Sequence, residues 1–397
     1  MNKEFLAAIP VLEKIEKAGF EAYFVGGAVR DYLLNRDIHD VDIATSATPL
    51  EIKNIFSSTV DVGIEHGTIL VLYKGQGFEV TTFRSESDYE DYRRPQKVTF
   101  IRSLKEDLKR RDFTMNAIAM DRAGQLIDPF HGKSAIEQQI IDTVGEASER
   151  FKEDALRVIR AIRFVSQLGF SLEKNTEKEM ANLAFLLQHI SVERITAEMI
   201  KLLNGTHREK AFKIALETKL YAFWPTIFND KKIIQSILSL PIEPLSEMEL
   251  WILSLFLTNQ TNSNDLLKKW KLPSKKIQFI LRAILFLNWR KENEWTHYDC
   301  YRAGKEICTV VERVYQTSLG KDISEIESNF DHIFRELPIL SRGDLKITGE
   351  EILKWYNKPA GPWVREVIEQ IEKAVINKEV LNEVEEIKRW IKSCHLP

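Results

Sequence analysis

The sequence predicts an α+β protein: a mixed head of strands and helices, then a remainder that is all helical. Three observations predict it. Up to about residue 130, short apolar runs of period two alternate with helical stretches and are punctuated by glycines. Beyond residue 134 nearly every segment carries the helical period instead. At 397 residues the chain is too long for one ordinary core, which points to about two to four domains. The shift in pattern sets the first boundary within 130–150. Breaks at Asn204-Gly205, Trp224-Pro225, 258–264 and Leu272-Pro273 interrupt the helices that follow. We divide the chain as 1–148, 149–210, 211–290 and 291–397.

Residues 3–18 read as an amphipathic helix closed by Gly19, and 20–25 as the first strand. A helix starts at Ala28, and Pro49 opens another over 49–57. Residues 59–72 and 77–83 read as strands, with turns at Gly63, Gly67 and Gly75-Gln76-Gly77. Residues 84–97 are dense in charges of both signs and show no clear period, which reads as a mobile loop. Residues 150–168 read as one strongly amphipathic helix. Leu156, Ile159, Phe164 and Val165 lie on its apolar side, and Asp154, Arg157, Arg160 and Arg163 recur every three residues across the other. Asp154 and Arg157 fall within touching distance at i,i+3.

The chemistry concentrates in residues 24–42. Gly26-Gly27 lies between strand and helix, where bare backbone N–H groups admit a phosphate. Asp40-Val41-Asp42 follows. Strand alternation would put both carboxylates on one face, where they repel each other unless a cation sits between them. Mg²⁺, which takes one or two carboxylates plus substrate phosphates, resolves this most simply. Alone, a glycine pair is a turn and an Asp-x-Asp a solvated strand face. Their succession is what argues for a site. Arg110-Arg111 adds two rigid donor forks suited to a triphosphate or an RNA backbone. Gly132-Lys133-Ser134 imitates a P-loop ending, but Ile127 stands where the first glycine is required, so the segment reads as a turn leaving the head.

The stretches Gly26-Gly27-Ala28-Val29-Arg30-Asp31 and Asp40-Val41-Asp42-Ile43-Ala44-Thr45 resemble the head of the nucleotidyltransferases related to polymerase β. Arg110-Arg111-Asp112-Phe113-Thr114-Met115-Asn116-Ala117 and Glu153-Asp154-Ala155-Leu156-Arg157 extend that resemblance, in order, to the bacterial class II tRNA nucleotidyltransferase/poly(A) polymerase branch. It is strong over 20–205 and looser to the C-terminus, as at Lys358-Pro359-Ala360-Gly361-Pro362-Trp363.

The resemblance implies a polymerase β-like head (1–148) carrying a two-Mg²⁺ and triphosphate site. It implies a helical neck (149–210) for base recognition, then a body (211–290) and tail (291–397) that bind RNA. Asp40 and Asp42 become the catalytic, metal-holding pair, and Glu79, on the strand 77–83, the candidate third carboxylate. An exposed strand glutamate is the bland alternative there. Gly27, Arg30 and Arg111 would cradle the triphosphate. Asp154, Arg157, Arg160 and Arg163 would bind the nucleotide, the first two by its base and the others by phosphate or sugar. A salt-bridged, solvated helix face is the alternative. A loop at 84–97 is, in this branch, needed for the switch to adding A.

Net charge is −3, so binding to a polyanion must rest on local clusters. Residues 266–291 hold eight cations and no acid. With Trp270 and Trp289 among them, Lys268, Lys269, Lys275 and Lys276 are the candidate phosphate-tracking residues. The eight histidines show no ligand spacing, and His39 and His66 read as structural or incidental. Cys300, Cys308 and Cys394 are too few and too scattered for a disulfide framework, which fits a reducing cytoplasm. No apolar run is long enough to span a membrane.

The expected activity is template-independent addition and repair of the 3′-terminal CCA of tRNA from CTP and ATP, with release of pyrophosphate. The partners expected are tRNA, at its acceptor end and elbow, CTP and ATP, and no membrane; a homodimer is compatible with the sequence. A poly(A) polymerase or a C-only or A-only enzyme of the same branch is the alternative. A non-catalytic RNA-binding helical protein is another, against which the intact Asp40/Asp42 pair argues.

Overall fold

The computed structural model describes residues 1–90, 92 and 94–393. They fold as two compact units, one of residues 1–234 with 269–271, the other of 235–268 and the chain from 272 onward.

The first unit opens with α1 (Lys3–Lys17), which buries the stripe Phe5, Ala8, Val11, Leu12 and Ile15. There follow β1 (Ala22–Val25), α2 (Gly27–Leu33), β2 (Asp42–Thr45), α3 (Pro49–Ile55), β3 (Thr59–Gly63), β4 (Thr68–Tyr73) and β5 (Gln76–Thr82). A capping box between Thr48 and Glu51 starts α3. The stretch predicted as one strand over 59–72 is two, β3 and β4, parted by a turn at 64–66. Next come β6 (Arg84–Glu90), β7 (Arg94–Phe100), α4 (Leu104–Lys109), β8 (Ala119–Met120), β9 (Leu126–Ile127), α5 (Gly132–Glu137) and β10 (Ile140–Ile141). Seven strands form one sheet in the order β3-β4-β5-β2-β1-β8-β9. Val25, Ala44, Phe83, Leu108, Ala117 and Ala119 share a buried core.

Register places the site. Val25 lies opposite Asp42 in the antiparallel pair β1–β2, so the glycine turn leaving β1 stands beside the start of β2. Ile43 is level with Val80 in the parallel pair β2–β5. Glu79, one residue before Val80, therefore falls at the level of Asp42. Only Asp42 belongs to the strand: β2 begins there, and Asp40 sits in the irregular segment that enters it. Both carboxylates keep part of their surface open to solvent.

The segment predicted as a mobile loop is a two-stranded antiparallel hairpin, β6–β7, running from Arg84↔Phe100 to Glu90↔Arg94. Asp91 and Arg93 lie outside the described residues. The hairpin is tied at both ends: Ile101 N–H donates to the Phe83 carbonyl (2.9 Å), and Ala155 N–H to the Tyr92 carbonyl (2.9 Å).

The helix predicted over 150–168 is broken. The chain forms α6 (Ala147–Glu153) and α7 (Leu156–Leu168), and Asp154 between them is extended (φ −138°, ψ 103°). After it come β11 (Ser171–Leu172), α8 (Lys174–Leu183), α9 (Val192–Leu203) and α10 (Arg208–Glu217). The imitation P-loop is resolved by packing. Asp128 caps the start of α5, accepting from Gly132 N–H (2.7 Å) and Lys133 N–H (2.8 Å). A β-carbon on Gly132 would stand 2.1 Å from the Thr114 carbonyl oxygen, so this glycine serves a close backbone crossing.

The second unit is helical. Its C-terminal part buries Ile352, Val367, Ile371 and Ile387 around the helices Gly349–Tyr356, Pro362–Ile376 and Val384–Ser393. Cys300 and Cys308 are buried free thiols; Cys394 lies outside the described residues. No helix among the described residues is long and apolar enough to cross a membrane.

Candidate active site

Gly26 takes the left-handed backbone (φ 72°) that lets the chain turn from β1 into α2. A β-carbon there would stand 3.2 Å from Arg111 Nη1 and 3.7 Å from Asp42 Oδ2. One on Gly27 would stand 3.7 Å from Arg30 Nη2. The turn thus brings bare backbone, two guanidinium groups and one carboxylate together.

This turn opens into a cavity of about 690 Å³ within the first unit. Gly27, Arg30, Arg111, Asp154, Arg157, Arg160 and Arg163 all line it, so the whole predicted nucleotide set is gathered in one place. Its lining carries nine cationic and four acidic side chains. A chain of net charge −3 therefore concentrates positive potential where a polyanion would enter. Asp42 also lines a second cavity of about 880 Å³, together with Asp40, Glu79, His39 and Lys3. It is shared by the arginine-lined cavity and the carboxylate-lined one.

The Asp42 carboxyl is raised above its ordinary pKa. Loss of surrounding water contributes most, then the Glu79 carboxylate; Arg111 opposes and Asp40 adds. Asp40, Asp42 and Glu79, gathered at one cavity, are oxygen donors that fit a hard, oxygen-loving cation. Among the described residues no three His, Cys, Asp or Glu side chains are already closed into a metal cage. A site for Mg²⁺ does not need one, since this ion keeps substrate phosphates and water in its shell.

The arginines of the predicted nucleotide set on α2 and α7 each have a protein partner. Arg30 donates to Asn116 Oδ1 (2.8 Å) and pairs with Asp31 (2.9 Å). Arg157, buried, donates to Glu153 Oε2 (2.7 Å), the Arg150 carbonyl (3.2 Å) and the Arg110 carbonyl (2.8 Å). Arg160 pairs with Asp112, its Nε donating to Oδ2 (2.8 Å). Arg163 pairs with Glu198 (3.0 Å) and lies over the Phe164 ring (3.9 Å). Asp154 accepts from Leu156 N–H (3.1 Å), through which it starts α7, and from Arg194 Nη2 (3.0 Å). The expected side-chain contact between Asp154 and Arg157 is thus replaced by separate partners for each, while Arg157 N–H donates to the Asp154 carbonyl (2.9 Å). The arginines do not form a solvated face either: Arg157 and Arg163 are buried on α7.

Three residues here escaped sequence reasoning: Asp112, Arg194 and Glu198. Glu198 carried a signal. It falls in register with the apolar positions Ile195, Met199 and Leu202 of α9, and a carboxylate on an apolar stripe must be paired. Asp112 stood only inside the Arg110–Ala117 stretch, with no role of its own, and Arg194 carried no signal, because their partners lie 48 and 40 residues away.

Asp112 yields a test. Burial works against its charge, but Arg160 beside it and the Asn116 amide hold its carboxyl far below the usual range. Its folded pKa lies below its unfolded one. The stabilisation is therefore complete above about pH 4 and is lost as pH falls towards the folded value, at ~1.4 kcal/mol per pH unit. Asp112→Asn should cost about 3 kcal/mol at neutral pH by stranding Arg160. In urea melts the gap to the parent protein should narrow below pH 4; a gap independent of pH would contradict the pairing.

Of the predicted RNA-tracking residues, Lys268, Lys269 and Lys275 are exposed. Lys276 is instead tied to Glu247 (2.6 Å). Trp270 is fully buried, its Nε1 donating to the Thr226 carbonyl (2.5 Å), so it is core and not a stacking platform. Arg290 is buried against Glu312 (2.7 Å), and Arg282 donates to the Arg302 and Ala303 carbonyls.

A glycine turn, a strand carboxylate and a cavity of nucleotide size lined by arginines define a nucleotidyltransferase. Residues 22–142 match the Poly A polymerase head domain, 169–229 the probable RNA and SrmB-binding site of polymerase A, and 242–391 the putative tRNA nucleotidyltransferase domain 2. The CCA-adding enzyme of Listeria monocytogenes serotype 4b is 47% identical over 98% of this chain and 99% of its own. That of Bacillus cytotoxicus is 45% identical over 99% and 100%. The solved Bacillus stearothermophilus CCA-adding enzyme in complex with CTP is 43% identical, with a TM-score of 0.90 over 100% of this chain and 98% of that one. The chain belongs to the CCA-adding enzyme family.

Proposed function

We infer that this chain adds C, C and A in turn to the 3′ end of tRNA, from CTP and ATP, without a template, and so makes and repairs that end. The observation that carries the reading is the single cavity in which the Gly26-Gly27 turn, Asp42 and the arginines of α7 meet. The 3′-hydroxyl of the RNA attacks the α-phosphate and pyrophosphate leaves; no covalent nucleophile is needed.

Asp40 and Asp42 would hold Mg²⁺, with Glu79 as third carboxylate. When bound, the metal lowers the pKa of the attacking hydroxyl and neutralises the leaving pyrophosphate. Gly27 N–H, Arg30 and Arg111 bind the triphosphate. Arg111 Nη1, whose one hydrogen bond, to the Asn116 carbonyl, is long (3.4 Å), is the donor that faces the glycine turn. Asp154 and Arg157 read the base edge, and Arg160 and Arg163 hold the nucleotide's phosphate or sugar. Residues 1–148 act as head and 149–210 as neck, while 211–290 and 291–397 serve as body and tail for the tRNA. The three separate family matches support a division of this kind. The cytoplasm, where tRNA is made and repaired, is the place of action.

Incubation with tRNA lacking its 3′ end, Mg²⁺ and labelled CTP and ATP tests the reading. Two C and one A should be added; continued A addition would favour a poly(A) polymerase, and C alone a narrower enzyme. The RNA path has its own test. Replacing the exposed Lys268, Lys269 and Lys275 by alanine should weaken tRNA binding and lower the salt slope by roughly 2–3, through lost counterion release. Affinity for CTP should stay. An unchanged slope would place the RNA elsewhere.

A further inference from the structure

Asp107 lies near the end of α4 and is 1% exposed. It stands behind the lining of the nucleotide cavity. Its oxygens accept four hydrogen bonds. Oδ1 takes the Arg84 backbone N–H (3.2 Å) and Arg110 Nε (3.1 Å) and Nη2 (2.9 Å); Oδ2 takes Arg111 Nη2 (3.2 Å). Helical spacing alone makes a carboxylate at i a neighbour of i+3 and i+4. Burial makes that neighbourhood obligatory, because an ionised carboxylate out of water must be fully paired. Burial opposes its charge, and Arg110 and Arg111 hold it below the ordinary range.

The other end of Arg111 is under far less restraint. Nη1 makes only a long contact with the Asn116 carbonyl (3.4 Å), and it lies 3.2 Å from where a Gly26 β-carbon would be. A free arginine side chain loses up to about 2 kcal/mol of rotamer freedom when it is fixed. At this arginine that cost is met in the fold, before any ligand arrives. We propose that Asp107 is a positioning residue for nucleotide binding: it aims Arg111 at the Gly26-Gly27 turn and touches no substrate itself. This rests on the reading of Arg111 as a triphosphate contact. The triphosphate is common to CTP and ATP. Asp107 therefore serves both nucleotides alike and takes no part in base choice.

Asp107→Asn keeps the shape and removes the charge. KM for CTP and for ATP should rise by the same factor, roughly ten- to a hundredfold, the worth of a charge-assisted hydrogen bond. The change in kcat should be smaller, and preference against UTP and GTP unchanged. Asp107→Ser, run in parallel, removes the charge with less bulk, and tRNA binding by each variant reports the fold. A double-mutant cycle isolates the route: added to Arg111→Ala, either substitution should raise KM no further. Additive losses, unequal effects on CTP and ATP, or loss of tRNA binding by both variants would overturn the proposal in favour of a purely structural carboxylate. Wild-type KM in the Asp107 variants beside an impaired Arg111→Ala would sink the proposal alone. Wild-type KM in Arg111→Ala would sink the reading of Arg111 and the proposal with it.

Discussion

Asp42→Ala should lower the rate of both C and A addition at least a thousandfold while leaving the protein as stable as before, or more so. Asp42 is the one predicted carboxylate shared by the two cavities, and its strand position is fixed by pairing on both sides. Losing a metal-holding carboxylate removes several kcal/mol of transition-state stabilisation, and each ~1.4 kcal/mol is tenfold in rate. Stability should move the other way. The Asp42 carboxyl is pushed up by lost hydration and by Glu79, so its charge is a strain on the folded chain. Removing it relieves that strain, as expected where function and stability compete. Asp40→Ala should show a similar loss of rate. Rate assays and thermal melts on the same preparations check both halves. Near-normal addition in either variant would end the metal assignment.

Asp154→Ala should lose base choice as well as rate. Cytosine and adenine both offer an exocyclic amino donor beside an unprotonated ring nitrogen, where uracil and guanine offer a carbonyl beside a ring N–H. A carboxylate accepts from the amino group and a guanidinium donates to the ring nitrogen. Asp154 and Arg157 line the cavity with their side chains on separate partners. Each is fixed by its own neighbours, so the base is free to bridge them. A buried unpaired polar group costs ~1–3 kcal/mol, which sets a fall in preference of roughly ten- to a hundredfold. Arg157→Ala should behave likewise. Arg160→Ala and Arg163→Ala should slow addition without relaxing choice, since their guanidinium groups are committed to Asp112 and Glu198. Asp154 also starts α7, so circular dichroism on the variant must show its helices retained. Full preference for CTP and ATP in a folded Asp154→Ala would refute this reading of the helix break.

What was legible in the sequence was local. The glycine turn, the Asp-x-Asp and the arginine pair each announce their chemistry through residue type and spacing, and the structure gathers Gly27, Arg30 and Arg111 at one cavity. What was hidden depended on partners far along the chain. The break at Asp154 is invisible to a periodicity that continues across it; it forms where Arg194 and the Leu156 N–H claim the carboxylate. The hairpin β6–β7 escaped because strands reading Arg-Ser-Glu-Ser-Asp-Tyr-Glu and Arg-Pro-Gln-Lys-Val-Thr-Phe lack an apolar face. Its pairing is pinned at the ends by backbone hydrogen bonds to Phe83 and Ala155. Trp270, interleaved with the candidate phosphate-tracking lysines, is core because Phe228 and the Thr226 carbonyl meet it from segments that follow α10 in the same unit.

On the proposed reading, side chains of this chain, and no template, choose the nucleotide. The most direct measurement presents tRNA lacking its 3′ end with all four nucleoside triphosphates at equal concentration and Mg²⁺, and sequences the products. The expected ends read C, C, A and stop. Ends containing U or G at the frequency of their supply would contradict that reading.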